Sequence, residues 1–127
     1  MSMNKVLIAD DEPYITRVLK LVLQKEGYEV ICVSNGREAF EAYTKSRPDM
    51  VITDVKMPYM TGRELVEAIR KTSADDDTPI IVMTSTLESE NRDWVTGVAN
   101  VSFVGKPVSP RDLIRITNNY FLQTKAS

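Results

Sequence analysis

"KVLIADDEP", Lys5 to Pro13, passes without a break from four apolar residues into three acidic ones and then a proline. Hydrophobicity that is continuous rather than alternating marks a strand buried on both faces. Proline fits the first turn of a helix, where its missing N–H is not needed. The stretch therefore reads as strand, acidic turn, helix. Runs of the same apolar kind recur at "EVICV" (29–33), "DMVIT" (49–53), "PIIVM" (79–83) and "VSFVG" (101–105), which makes five strands with "KVLIA" (5–9). Behind Pro13, Ile15, Val18, Leu19, Val22 and Leu23 fall on one helical face, and Gly27 is the residue type that ends such a helix. Weaker helical patterns run over 36–45, 62–71 and 88–98. "SPRD" (109–112) announces a last helix, with Ser109 as cap, Pro110 in first position and Asp112 reaching back, and it is expected to extend to Leu122. Strands alternating with helices need crossover connections, so the sheet is expected to be parallel and covered on both faces. "SADDDTP" (73–79) reads as a solvated loop.

The chain of 127 residues, 43% hydrophobic, is expected to form one domain over 1–127. Sixteen basic residues against 18 acidic ones give a net charge of -2, so there is no field for a polyanion and direct nucleic-acid binding is disfavoured. Cys32 stands alone in an apolar run and reads as an inert buried thiol, which suits a cytoplasmic location. No apolar run approaches the ~20 residues of a membrane span, and no secretory signal precedes the first strand. The absence of histidine excludes Ser/His/Asp and Cys/His catalysis and removes the commonest zinc ligand.

In an open parallel sheet, ligands bind beyond the carboxyl ends of the strands. The first strand brings Asp10 and Asp11 to that edge, the third Asp54, the fourth Thr84 and the fifth Lys106. Capping is one reading of the acidic run, because carboxylates at a helix N-terminus gain about 0.3–1 kcal/mol each. It does not explain Asp54, which arrives on another strand with a charge that opposes Asp10 and Asp11. Crowded like charges call for a cation, and an all-oxygen donor set without His or Cys suits a hard ion such as Mg²⁺. Lys106 reads either as a solvated surface group or as a partner for carboxylate and phosphoryl oxygens. No glycine-rich phosphate loop follows the first strand.

"LIADDEP", "DVKMPYMTG" (54–62), "PIIVMTS" (79–85) and "VGKP" (104–107), in this order and spacing, give the chain a resemblance to the response-regulator receiver domain of two-component signalling over essentially its whole length. The resemblance implies a flavodoxin-like sheet of order 2-1-3-4-5 with five helices. It implies that Asp54 is phosphorylated by a sensor histidine kinase, a histidine phosphotransfer protein or a small phosphodonor. By the same resemblance, Asp11 and Asp54 ligate Mg²⁺ directly, Asp10 acts through water and the backbone carbonyl of Lys56 completes the protein ligands. Thr84 and Lys106 then contact the phosphoryl group, and the Lys106–Pro107 bond is cis. Thr84 and Phe103 form the switch, with Phe103 as permanent core the alternative. Because phenylalanine lacks tyrosine's hydroxyl, its inward rotamer is expected to be populated without phosphate.

Output is expected on the face of the fourth helix, fifth strand and fifth helix, toward a downstream protein or an attached output domain. No output domain is visible in the sequence, no membrane association is expected, and dimerisation is left open. Met57 and Pro58 are read as shaping the loop below the site and Gly62 as a tight turn. Lys56 stands beside the route of attacking water. Ala99 departs from the glycine common at its place, and Trp94 reads as a packing or partner residue. Two rival readings stand beside this one. A haloacid-dehalogenase-like phosphatase would need an acid where Lys56 stands, and a phosphorylation-independent interaction module would not need the full acidic set.

Overall fold

The computed structural model describes residues 4–72, 77–85 and 100–126, with side chains as far as Phe121. Its elements follow in the order β1 (Lys5–Ala9), α1 (Pro13–Lys25), β2 (Glu29–Val33), α2 (Gly36–Ser46), β3 (Met50–Asp54), α3 (Gly62–Thr72), β4 (Ile80–Thr84), β5 (Val101–Gly105) and α4 (Pro110–Ala126). The strands form one parallel sheet in the order β2-β1-β3-β4-β5. This is the flavodoxin-like arrangement expected. Four helices lie among the described residues; the helix expected over 88–98, with Trp94 and Ala99, falls outside them, as does part of the 73–79 loop. The last helix runs a turn beyond Leu122, to Ala126.

Side-chain alternation explains why the strands read as unbroken apolar runs. Val6, Ile8, Met50, Ile52, Ile81 and Met83 pack with Leu19 and Leu23 of α1 and Leu113 of α4. Leu7, Ala9, Val51, Ile80 and Val82 pack on the other face with Ala39 and Tyr43 of α2 and Leu65, Val66 and Ile69 of α3. Fully burying each such aliphatic side chain contributes about 1.5–3 kcal/mol, so the two layers supply the main drive to fold.

Local chemistry sets the helix ends. Gly27, with φ +94°, closes α1 as the Gly27 and Tyr28 amides donate to the carbonyls of Gln24 and Leu23. Asn35 caps α2 through the Glu38 amide at 2.8 Å, and Ser109 caps α4 through the Asp112 amide at 3.0 Å. Thr61 and Glu64 form a reciprocal box at the start of α3: the Glu64 amide donates to Thr61 Oγ1 at 3.2 Å and the Thr61 amide to Glu64 Oε1 at 3.0 Å. Those bonds hold the Glu64 carboxyl below its usual range. Cys32 is half-buried, and burial pushes its thiol up, which keeps it unreactive.

Candidate functional site

The parity of the sheet brings the charged residues together. On β3, Met50 and Ile52 face α1 and α4, so two residues on Asp54 leans to the same side; β1 and β5, continued by one residue, send Asp10 and Lys106 the same way. The Lys106 ammonium donates to Asp10 Oδ2 at 2.9 Å and to Asp54 Oδ2 at 3.1 Å. It lies 3.4 Å from Glu12 Oε1. Asp10 is 1% exposed, and its other oxygen accepts the Glu12 amide at 2.9 Å. Asp54 Oδ1 accepts the amide of Val55 at 2.8 Å.

This decides between the two readings of the acidic turn. Glu12 is the N-cap residue of α1, yet its side chain makes no capping bond and the first turn carries no acid. Asp10 and Glu12 turn a carboxylate oxygen to Lys106 instead of to the helix amides. Lys106 is accordingly no solvated surface lysine. Its backbone amide is held too, donating to the Thr84 carbonyl at 2.8 Å, and the Lys106–Pro107 bond is cis.

One ammonium does not neutralise what surrounds it. Carboxylate oxygens of Asp10, Asp11, Glu12 and Asp54 can all lie within 4.8 Å of one another. Burial raises the Asp54 carboxyl above its usual range and the Asp10 charge adds to this, against the opposing pull of Lys106 and the Val55 amide. Burial likewise works against the Lys106 charge, but hydrogen bonds and Coulombic attraction to Asp10 and Asp54 outweigh it and raise the ammonium's pKa. The donor set is hard, anionic and entirely oxygen, so it fits a divalent cation of the Mg²⁺ class.

Beside the cluster opens a cleft of about 460 Å³, lined by Glu12, Asp54, Val55, Lys56, Thr84 and Lys106 among others. Thr84 ends β4 at 6% exposure, and Lys56 stands exposed at the wall. Phe103, half-buried, packs with the α2/α3 layer. It pairs in register with Val82, two residues from Thr84, so Phe103 and Thr84 share that face of the sheet.

Three features escaped the sequence reading. Glu12 reaches Lys106, a rim contact with no signal in spacing. Gly62 opens α3 as the helical pattern over 62–71 had it, but its glycine, read as a tight turn, answers to space: an added Cβ would lie 2.3 Å from the Asp54 carbonyl oxygen. Gly36 is equally confined, by Met60. The capping box of α3 did have a signal, the T-x-x-E spacing of "TGRE" (61–64).

Comparison with known proteins accords with this geometry. Residues 6–118 match the family described as the response regulator receiver domain. Pyropia yezoensis has a relative named "Probable transcriptional regulator ycf27", 40% identical over 112 residues, a match that covers 87% of this chain and 44% of the relative. The "DNA-binding response regulator MtrA" of Mycolicibacterium smegmatis is 30% identical over 113 residues, covering 87% and 47%. The chain thus spans less than half the length of these curated relatives. Among solved structures, the chemotaxis response regulator CheY4 of Vibrio cholerae superposes with a TM-score of 0.85 at 36% identity, covering 93% of this chain and 98% of that one.

Proposed function

The chain belongs to the response regulator receiver family, and from that premise we propose that it is a phosphoacceptor switch in which Asp54 takes a phosphoryl group. The observation that carries this reading is the convergence of Asp10, Asp54 and Lys106 on one point, with Asp11 and Glu12 at its mouth.

The Asp54 carboxylate attacks phosphorus while the bond from phosphorus to the donor breaks. In acetyl phosphate that is a P–O bond and acetate leaves with the electron pair; in a phosphohistidine it is a P–N bond. The product is an acyl phosphate, which water returns to carboxylate and inorganic phosphate. The chain contributes position and charge, the two things phosphoryl transfer needs most. Lys106, anchored by Asp10, holds an ammonium against the incoming oxygens. Thr84 offers a hydroxyl from the neighbouring strand end. Asp10, Asp11, Asp54 and the backbone carbonyl of Lys56 would hold Mg²⁺, which when bound offsets charge on the phosphoryl oxygens.

Signalling follows from a difference in contacts between two pre-existing states. Thr84 and Phe103, two residues apart in register on one face, are suited to move together, and β5 with the last helix carries the change to a protein target or an attached output domain. The phosphodonor partner is a sensor histidine kinase or histidine phosphotransfer protein in the cytoplasm. No described helix is long and apolar enough to cross a membrane. The chain is a switch that supports its own phosphoryl transfer and dephosphorylation rather than an enzyme acting on other substrates.

Incubation with acetyl phosphate and Mg²⁺ tests the reading. Intact-mass measurement is expected to find one added phosphoryl group, lost on hydroxylamine treatment and absent from Asp54→Ala. Equal uptake by Asp54→Ala would overturn it.

A further inference from the structure

The loop from Val55 to Thr61 carries Lys56 past the site, and its inner end closes tightly on itself. The Gly62 amide donates to the Val55 carbonyl at 2.8 Å, beside the close approach of Gly62 to Asp54. The outer limb is held by a different element. An added Cβ on Gly36, the first residue of α2, would stand 2.0 Å from the Met60 carbonyl oxygen and 2.6 Å from Met60 Cβ. Gly36 does not have a left-handed φ, so no backbone conformation requires glycine there. Starting a helix with glycine also gains nothing in helix propensity. What the position requires is space for the loop.

The next residue makes a second, independent contact. The Arg37 guanidinium lies 5.0 Å over the ring of Tyr59. Tyr59 holds φ +69°, a region that strains a bulky residue by about 1–3 kcal/mol. At 76% exposure, burial does not hold it there. A strained, exposed aromatic thus stacks on the helix turn whose preceding residue is pressed against Met60.

We propose that the first turn of α2 is a positioning element for phosphoryl transfer at Asp54: Gly36, helped by Arg37 stacking on Tyr59, sets where the 55–61 loop stands and hence where Lys56 presents its carbonyl. Neither residue touches the reacting atoms. The inference rests on the phosphoacceptor reading above.

The experiment measures the initial rate of phosphorylation of the full chain by acetyl phosphate as Mg²⁺ is varied, with circular dichroism as the check on folding. Gly36→Ala is expected to raise the Mg²⁺ midpoint or lower the rate per folded molecule by ~10-fold or more, since small displacements of a site cost that much. Arg37→Ala removes an exposed contact only and is expected to raise the Mg²⁺ midpoint by about 2–5-fold, the equivalent of an exposed cation–π contact. A purely structural role would change the unfolding midpoint and leave the Mg²⁺ midpoint per folded molecule untouched. A folded Gly36→Ala with the parent's midpoint and rate overturns the proposal. Should Gly36→Ala fail to fold, an Arg37→Ala midpoint equal to the parent's overturns it. If the parent protein itself takes up no phosphoryl group, it is the phosphoacceptor reading that fails.

Discussion

Two clefts of similar size, about 460 and about 410 Å³, open at opposite ends of the same sheet and treat their acidic residues in opposite ways. At the carboxyl end, Asp10 and Asp54 share a single ammonium, and Asp11 and Glu12 crowd the same few ångströms. At the amino end, Asp49 and Asp77 line a cleft with Asn4, Pro79 and Asn100. Asp49 Oδ2 accepts the Lys5 amide at 2.7 Å, and the Asp77 carbonyl accepts the Asn100 side-chain amide at 2.8 Å. Each of those bonds ties one strand end to its neighbour. Volume does not separate the two places. What separates them is that several carboxylates crowd one ammonium at one end, while at the other the Asp49 carboxylate is met by a backbone amide.

Removing Lys106 tests that contrast most severely. It is expected to cut the initial rate of phosphorylation by acetyl phosphate ~10²- to 10³-fold, the usual cost of losing a preorganised charge facing the transferred group. Lys106→Ala within threefold of the parent would mean that the ammonium serves the fold and not the chemistry. Asp49→Ala, the control at the other end, should leave that rate unchanged.

The next effect has the opposite sign, because a site that holds unbalanced charge weakens the fold. The Asp54 carboxyl is raised chiefly by burial and then by Asp10. A folded state that holds its proton more tightly than the unfolded chain loses stability as pH rises from the ordinary carboxylate range to the raised value. The penalty grows as pH rises through that range. Asp54→Asn in chelator at pH 7 is therefore expected to be more stable than the parent by about 1–2 kcal/mol, typical when an active-site charge is removed. The gain should disappear at acid pH, where both proteins are uncharged at this position. Urea unfolding at the two pH values reads the difference, and a variant less stable than the parent at pH 7 would show that Lys106 already compensates the charge.

The same contrast explains how much could be read from sequence. Asp10, Asp54, Thr84 and Lys106 were legible because a parallel sheet sends every strand's carboxyl end to one edge, whatever the loops do. The two-sided burial of β1 and β4 was legible because Val6–Ala9 and Ile80–Met83 offer no polar residue on either face. The grip of α2 on the 55–61 loop was not, since Gly36 and Met60 are 24 positions apart and nothing in either segment records the contact. Glu12 escaped for a related reason. Its reach to Lys106 depends on how α1 leaves the sheet, while its composition suits an N-cap equally well. Lys106 itself had two readings until the geometry put it 2.9 Å from a fully buried carboxylate.

The smallest effect sharpens the comparison from its quiet end. Asp49 sits immediately before β3, and its carboxylate and its own amide bind the Lys5 amide and carbonyl, each at 2.7 Å. These bonds hold the amino ends of the neighbouring strands β1 and β3 in register, in a position open to solvent where water can replace a lost partner. Asp49→Ala is therefore expected to cost only about 0.5–1 kcal/mol of stability, the net worth of one such hydrogen bond. Urea unfolding would register that loss while phosphorylation of Asp54 and its Mg²⁺ dependence stay at the parent's values. A change in either at Asp49→Ala would mean that the two ends of the sheet are coupled, so that the amino-end cleft takes part in the switch instead of merely closing the fold.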